Sequence, residues 1–115
     1  MTIQTVNPPA FYQGDTVTIP FTITDGTNTP VDITLATFMW VAWNISYGNV
    51  VTKTSDNGLA FGDPTKGQVA ATLEFADTAT VAPTQYTHML EKTLNGNTNV
   101  EAQGTLVILK NYTLL

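Results

Sequence analysis

Residues 16–24 read TVTIPFTIT, and the spacing of their apolar side chains decides the fold class. Val17, Ile19, Phe21 and Ile23 alternate with Thr16, Thr18, Pro20, Thr22 and Thr24. Apolar residues at every second position lie on one side of an extended chain and nowhere coherent on a helix, so the segment is a half-buried β-strand. Pro20 cannot donate a ladder hydrogen bond, which predicts that this strand is at a sheet edge or that the proline sits at a bulge.

The same period recurs outward along the chain. QVAATLEF (68–75) alternates with Val69, Ala71, Leu73 and Phe75 predicted inward. FMWVAWNIS (38–46) is apolar in both phases, Phe38, Trp40 and Ala42 on one face and Met39, Val41, Trp43 and Ile45 on the other. A strand of that kind is covered on both sides or carries an interaction surface. A turn at Gly48-Asn49 leads into VVTKTS (50–55) as its hairpin partner, and short strands are expected at VDI (31–33) and LAF (59–61). QYTHMLEKT (85–93), a hairpin turn at NGN (95–97) and NVEAQGTLVILKN (99–111) close the chain, with Gly104 as the expected bulge. About seven short strands at regular spacing, with no helix of length, predict an all-β, immunoglobulin-like antiparallel β-sandwich with Greek-key connections. The domain is expected over residues 11–110, between an N-terminal arm (1–10) and a C-terminal tail (111–115).

Composition agrees and removes several functions. Threonine, with 22 copies, favours pleated half-exposed surfaces, and 115 residues suffice for one domain with its own core. With no cysteine, neither disulfides nor thiolate metal sites are available. The only positive side chains are four scattered lysines against nine acids, a net charge of −5. Phosphate recognition needs Arg forks or a basic stripe, so no nucleic-acid partner is expected. No apolar run reaches the ~20 residues of a membrane helix, and the first fifteen residues lack the basic and apolar regions of a signal peptide. A soluble protein made in a cytoplasm, without membrane contact, is therefore expected.

FADTATVAPTQYTHMLEK (75–92) holds the only histidine and tests for catalysis. ADTATVAPT supports at most one helical turn, with Asp77 as the expected N-cap. Tyr86, opening the penultimate strand after that corner, has the placement of a tyrosine corner, its hydroxyl returning to the backbone of the turn. His88 shares the face of Tyr86 and Leu90. As a general base or metal ligand it would need a second histidine, a cysteine or a serine in an elbow motif, and none exists. It is expected to be packed and hydrogen-bonded, or to serve as a contact at an interface. The aspartates sit beside turn residues, as in DGTN, DNG and DPT, without a twelve-residue calcium loop. No catalytic, cofactor-binding or metal site is expected.

The aromatics carry the remaining signal. Trp40 and Trp43 are three apart on a strand and face opposite ways. Trp40, in phase with Phe38, is the expected core tryptophan; Trp43, with Met39, Ile45 and Tyr47 and with Tyr112 in the tail, marks the expected interface, the alternative being that a loop or the N-terminal arm covers Trp43. An exposed Trp43 with Tyr47 and Asn49 would also suit stacking on a sugar ring, so a carbohydrate ligand is the competing expectation.

Taken in order, FYQGDTVTIPFTITDGTNTPVDITLATFMW, GQVAATLEFADTATVAPTQYTHMLE and GTLVI resemble the small immunoglobulin-like domains of tailed-phage virion proteins, the family that includes the N-terminal domain of the phage baseplate upper protein. The resembling elements are Phe11 to Asp15, Asp32 to Thr34, Asp77-Thr78 and Tyr86; Thr84-Gln85 departs from the glycine such domains carry before the Tyr-led strand. The resemblance implies an accessory, non-catalytic structural module in the virion, a capsid decoration or a tail or baseplate component. It implies homo-oligomeric contacts and contacts with other virion proteins.

Overall fold

The computed structural model describes residues 3–114. Nine strands form: β1 (Gln4–Thr5), β2 (Phe11–Tyr12), β3 (Val17–Thr22), β4 (Thr37–Asn44), β5 (Gly48–Thr54), β6 (Leu59–Phe61), β7 (Gln68–Leu73), β8 (Gln85–Leu94) and β9 (Asn97–Leu109). A single-turn helix α1 (Phe75–Thr78) and a 3₁₀ turn (Pro64–Lys66) complete the chain. One sheet has the order β1-β9-β8-β4-β5 with β2 also on β9, and the other is β3-β7-β6. The chain passes between the sheets at each of the β2–β3, β3–β4, β5–β6 and β7–β8 connections. This is an immunoglobulin-like sandwich, with the two N-terminal strands lying parallel to the last one.

The opening stretch folds as its spacing dictates. Ile19, Phe21 and Ile23 are buried while Thr18, Pro20 and Thr22 face out. β3 pairs only with β7, so Pro20 occupies an edge strand, where a missing N–H costs nothing in the ladder. Trp40, Ala42, Leu90, Leu106 and Ile108 from the large sheet meet Ile19, Phe21, Ala71 and Leu73 from the small one in a single core.

Five expectations need correction. Residues 31–33 form no strand; Val31 donates to Ile23 and Ile33 to Pro64, and the segment turns through an Asp32 side-chain bond to Thr34 instead. The β4–β5 turn is Ile45–Tyr47, with Gly48 already inside β5 at φ 70°, because Asn44 Oδ1 accepts the Ser46 and Tyr47 amides and closes the turn early. Phe75 is not inward but half exposed, since β7 ends at Leu73 and Phe75 opens α1. The bulge is not at Gly104: Leu90 pairs with Ala102 and Glu91 with Val100, leaving Glu101 as the extra residue, whereas Gly104 pairs regularly with His88. The flanks are not outside the sandwich, since β1 is a strand of the large sheet and Asn111 bonds Gln13 twice, its amide N–H to Oε1 at 3.1 Å and its Nδ2 to the carbonyl at 3.0 Å.

The β8–β9 hairpin follows its sequence. Asn95 and Gly96 have φ of 55° and 79°, the pair of left-handed residues that a two-residue turn requires.

Candidate functional site

The outward phase of β4 places Met39, Val41 and Trp43 in a row down the outer face of the large sheet. Cross-strand register adds Met89 beside Val41, with Glu91 beside Met39 and Thr87 beside Trp43. On the other flank stand Thr54, Thr52 and Asn49. The result is an apolar centre with a polar border, the anatomy of a protein-binding patch. Trp43 is 38% and Met39 47% exposed, so one flank of each is already covered by neighbours. At the adjoining turn Ile45 is 96% exposed, and Tyr47 is exposed with its ring 6.5 Å from that of Tyr86. Tyr112 is also exposed, on the C-terminal tail and separate from this row in sequence and strand. Four of the five interface candidates thus fall on β4 or the turn that ends it.

Trp40 is fully buried, and its indole N–H donates to His88 Nδ1 at 3.0 Å. With Nδ1 an acceptor, the ring proton lies on Nε2, which donates to the Val6 carbonyl at 2.6 Å. Both ring nitrogens are used, the side chain has no exposure, and Phe21 and Trp40 flank the ring. Burial pushes the imidazole pKa below its ordinary value, against a smaller opposite pull from the Val6 carbonyl. The neutral ring is therefore a structural hydrogen-bond relay between the core tryptophan and the N-terminal segment.

Tyr86 is buried and its hydroxyl donates to the Ala82 carbonyl at 2.7 Å, closing the corner before β8. Asp77 is the third residue of α1, not its N-cap; Glu74 holds that position and its amide donates to Asp77 Oδ2 at 2.7 Å. The second role of Asp77 had no signal in its local sequence. Lys53 points inward from β5, lies over Gly58 and contacts Asp77 Oδ2 at 2.8 Å, so the ion pair ties the large sheet to the helix that follows the small one. Burial raises the carboxyl pKa, but the Lys53 bond and the Glu74 amide outweigh it and hold the group below the ordinary range. A second ion pair, Lys92 to Glu101 at 3.1 Å, places the bulge carboxylate in a buried position.

The aspartate turns share one chemistry. Asp25, Asp32 and Asp63 each accept from the amide and hydroxyl of the threonine two residues on, and Asn111 does the same with Thr113. The threonine hydroxyl is the leading cause that holds all three carboxyls below their usual range. In each of the three, Oδ1 is spent on the local turn. Among the described residues no three His, Asp or Glu side chains are grouped to hold a metal ion, and no helix is long and apolar enough to cross a membrane.

The contacts of residues 3–10 escaped the sequence reading. Val6 donates to the Gln103 carbonyl at 2.9 Å, and Asn7 Oδ1 accepts from the Thr105 amide at 2.9 Å. A Cβ on Gly104 would overlap the Val6 carbonyl oxygen, so glycine is there to admit the segment's backbone. A glycine within a strand signals either a bulge or a close backbone approach, and here it is the second. The chain matches no known family model, and no curated protein is similar to it.

Proposed function

We propose that this chain is a non-catalytic structural module of a tailed-phage particle, docking on other virion proteins as a capsid decoration or as a tail or baseplate component. The observation that carries the docking part is the Met39–Val41–Trp43 row with Met89, an apolar strip flanked on β5 by Thr54, Thr52 and Asn49. A second copy or another virion protein covering it would bury side chains that now meet water. The virion part rests on the sequence resemblance, and the immunoglobulin-like sandwich is the fold that resemblance implies. Within this reading, His88, the residue weighed as a base or metal ligand, relays hydrogen bonds, while Tyr86 closes a corner and Asp77 pairs with Lys53.

The test is compositional. Particles purified by density gradient from cells that produce this chain should contain it at a fixed ratio to the major capsid or tail protein. Immunogold labelling then distinguishes head from tail. Particles that lack the chain while it accumulates free in the lysate would remove the proposal.

One observation favours a carbohydrate-binding reading enough to keep it as the alternative. Asn49 lies directly across from Trp43, so an amide and an indole share one exposed site. Tyr47 is less favourable, since its ring neighbours Tyr86. Quenching of tryptophan fluorescence by host polysaccharide, lost in Trp43→Ala, would support this reading, and no response at millimolar sugar would dismiss it.

A further inference from the structure

The edge of β9 that β1 and β2 occupy is a built receptor for an extended strand. Its floor is Gly104, where the absent Cβ leaves the space that the Val6 carbonyl enters. A fully buried donor, His88 Nε2, waits at the end of that space at 2.6 Å. The Gln103 carbonyl and Thr105 amide complete the recognition on the strand itself, taking the Val6 amide and the Asn7 side chain at 2.9 Å each. Beyond Val6, which packs partly buried against the core, and the Gln4 side chain, which donates to the Thr22 carbonyl, the occupant is held shallowly. None of residues 3–10 is fully buried, β1 has only two residues in the ladder, and Pro8-Pro9 separates it from β2. Two consecutive prolines favour an extended, stiff connector, which projects the segment away from its own domain as readily as it returns it. Vacating the receptor would leave His88 with an unpaired buried N–H, so it favours being filled over being empty.

We propose that this groove accepts the N-terminal segment of a second copy of the chain, so that residues 3–7 act as an exchangeable strand linking neighbouring molecules. Every copy brings a segment of the right chemistry, and the contacts made in exchange are the same as those made within one chain. Exchange therefore changes the linkage at little cost in contacts, as domain swapping does, and the mode of recognition is β-strand addition. The proposal needs neither the virion assignment nor the apolar face of β4.

The absence of native cysteines makes the test direct. Thr5 and Gln103 are register partners and both exposed, so cysteines at the two positions lie within disulfide reach. The full-length double variant Thr5→Cys/Gln103→Cys should close within one chain, which validates the geometry. Single variants Thr5→Cys and Gln103→Cys, mixed in denaturant, refolded together at high concentration and oxidised, should then give a species of twice the 12.4 kDa chain mass. Peptide mapping should join position 5 of one chain to position 103 of the other. Thr5→Cys mixed with Leu35→Cys, an exposed position by the β8–β9 hairpin and remote from Gln103, measures random collision. Adding Gly104→Ala to the Gln103→Cys chain should abolish the product while circular dichroism still shows the sandwich. Efficient closure within the double variant, with mixed singles no better than the Leu35 control, would overturn the proposal.

Discussion

His88 accepts from Trp40 on one nitrogen and donates to Val6 on the other, and that opposition fixes its acid response. A second ring proton would face the indole N–H in place of a lone pair. Burial of the ring depresses the folded-state pKa, against a smaller opposite pull from the Val6 carbonyl, while the unfolded chain retains the ordinary value near 6.5. Acid then favours the unfolded chain: the stability is fully present above about pH 6.5 and is lost as pH falls through the folded value. Thermal melts between pH 7.5 and 5 should show a falling midpoint, and His88→Gln should flatten that slope, because no other side chain here ordinarily titrates in the window. A slope that persists in the variant would assign the effect elsewhere. Gly104→Ala is the companion test on the Val6 side. The added methyl cannot coexist with the Val6 carbonyl, so the segment must leave, at a cost of about 2 kcal/mol in urea unfolding. Hydrogen exchange at the Val6 amide should accelerate with it. At this scale the sequence was legible where one residue's environment follows from strand phase, as for Trp40 and Tyr86. It was not legible where the partner comes from far along the chain. Nothing near His88 announces Val6, 82 residues away, and nothing near Asp77 announces Lys53.

Elements repeat that division. β3 and β7 appear where alternation places them, because burying one face of a strand leaves a period of two in the sequence, and β4 appears where a run apolar in both phases places it. Their ends do not, since they are set by side-chain bonds that compete with the ladder. Asn44 closes the β4–β5 turn ahead of the glycine, and Glu74 with Asp77 turns the end of β7 into α1, carrying Phe75 out of the core. The parallel pairing of β1 and β2 with β9 has no local signal at all, since two-residue strands show no period. The α1 corner is one of four connections between the sheets, and two substitutions separate its parts. Tyr86→Phe keeps the ring and loses the bond to Ala82, and should cost about 1 kcal/mol in chemical denaturation. Asp77→Ala removes the bond to the Glu74 amide and leaves the Lys53 ammonium, 9% exposed, without its partner. It should cost more, about 2–3 kcal/mol, and Lys53→Met in the Asp77→Ala background should recover part of the loss. If Asp77→Ala proves no worse than Tyr86→Phe, the ion pair is not what joins the sheets.

In the whole molecule, the core and the outer face of the large sheet place different demands on the same strand. β4 commits Phe38, Trp40 and Ala42 to the interior and leaves Met39, Val41 and Trp43 outside, so its two phases can be changed independently. A double substitution, Met39→Ser with Trp43→Ser, should therefore leave the fold intact, at a cost of about 1 kcal/mol for each half-covered site. The same pair should weaken any association that uses this face, because truncating a central tryptophan in a desolvated patch typically costs about 2 kcal/mol or more, roughly thirtyfold in affinity. Light scattering of the free protein and co-sedimentation with particles from the producing cells read the two effects separately. The N-terminal strand lies on the opposite flank of the same sheet, beyond β8 and β9, so its exchange should survive the double substitution. A molecule that loses particle binding but still forms the engineered disulfide between position 5 of one chain and position 103 of another would have two separable surfaces. Copies would be joined to one another along β9 and to a different protein across β4. If both activities fall together while the fold persists, the apolar row and the strand groove belong to one interface between copies, and a surface for a different protein must be sought on the small sheet.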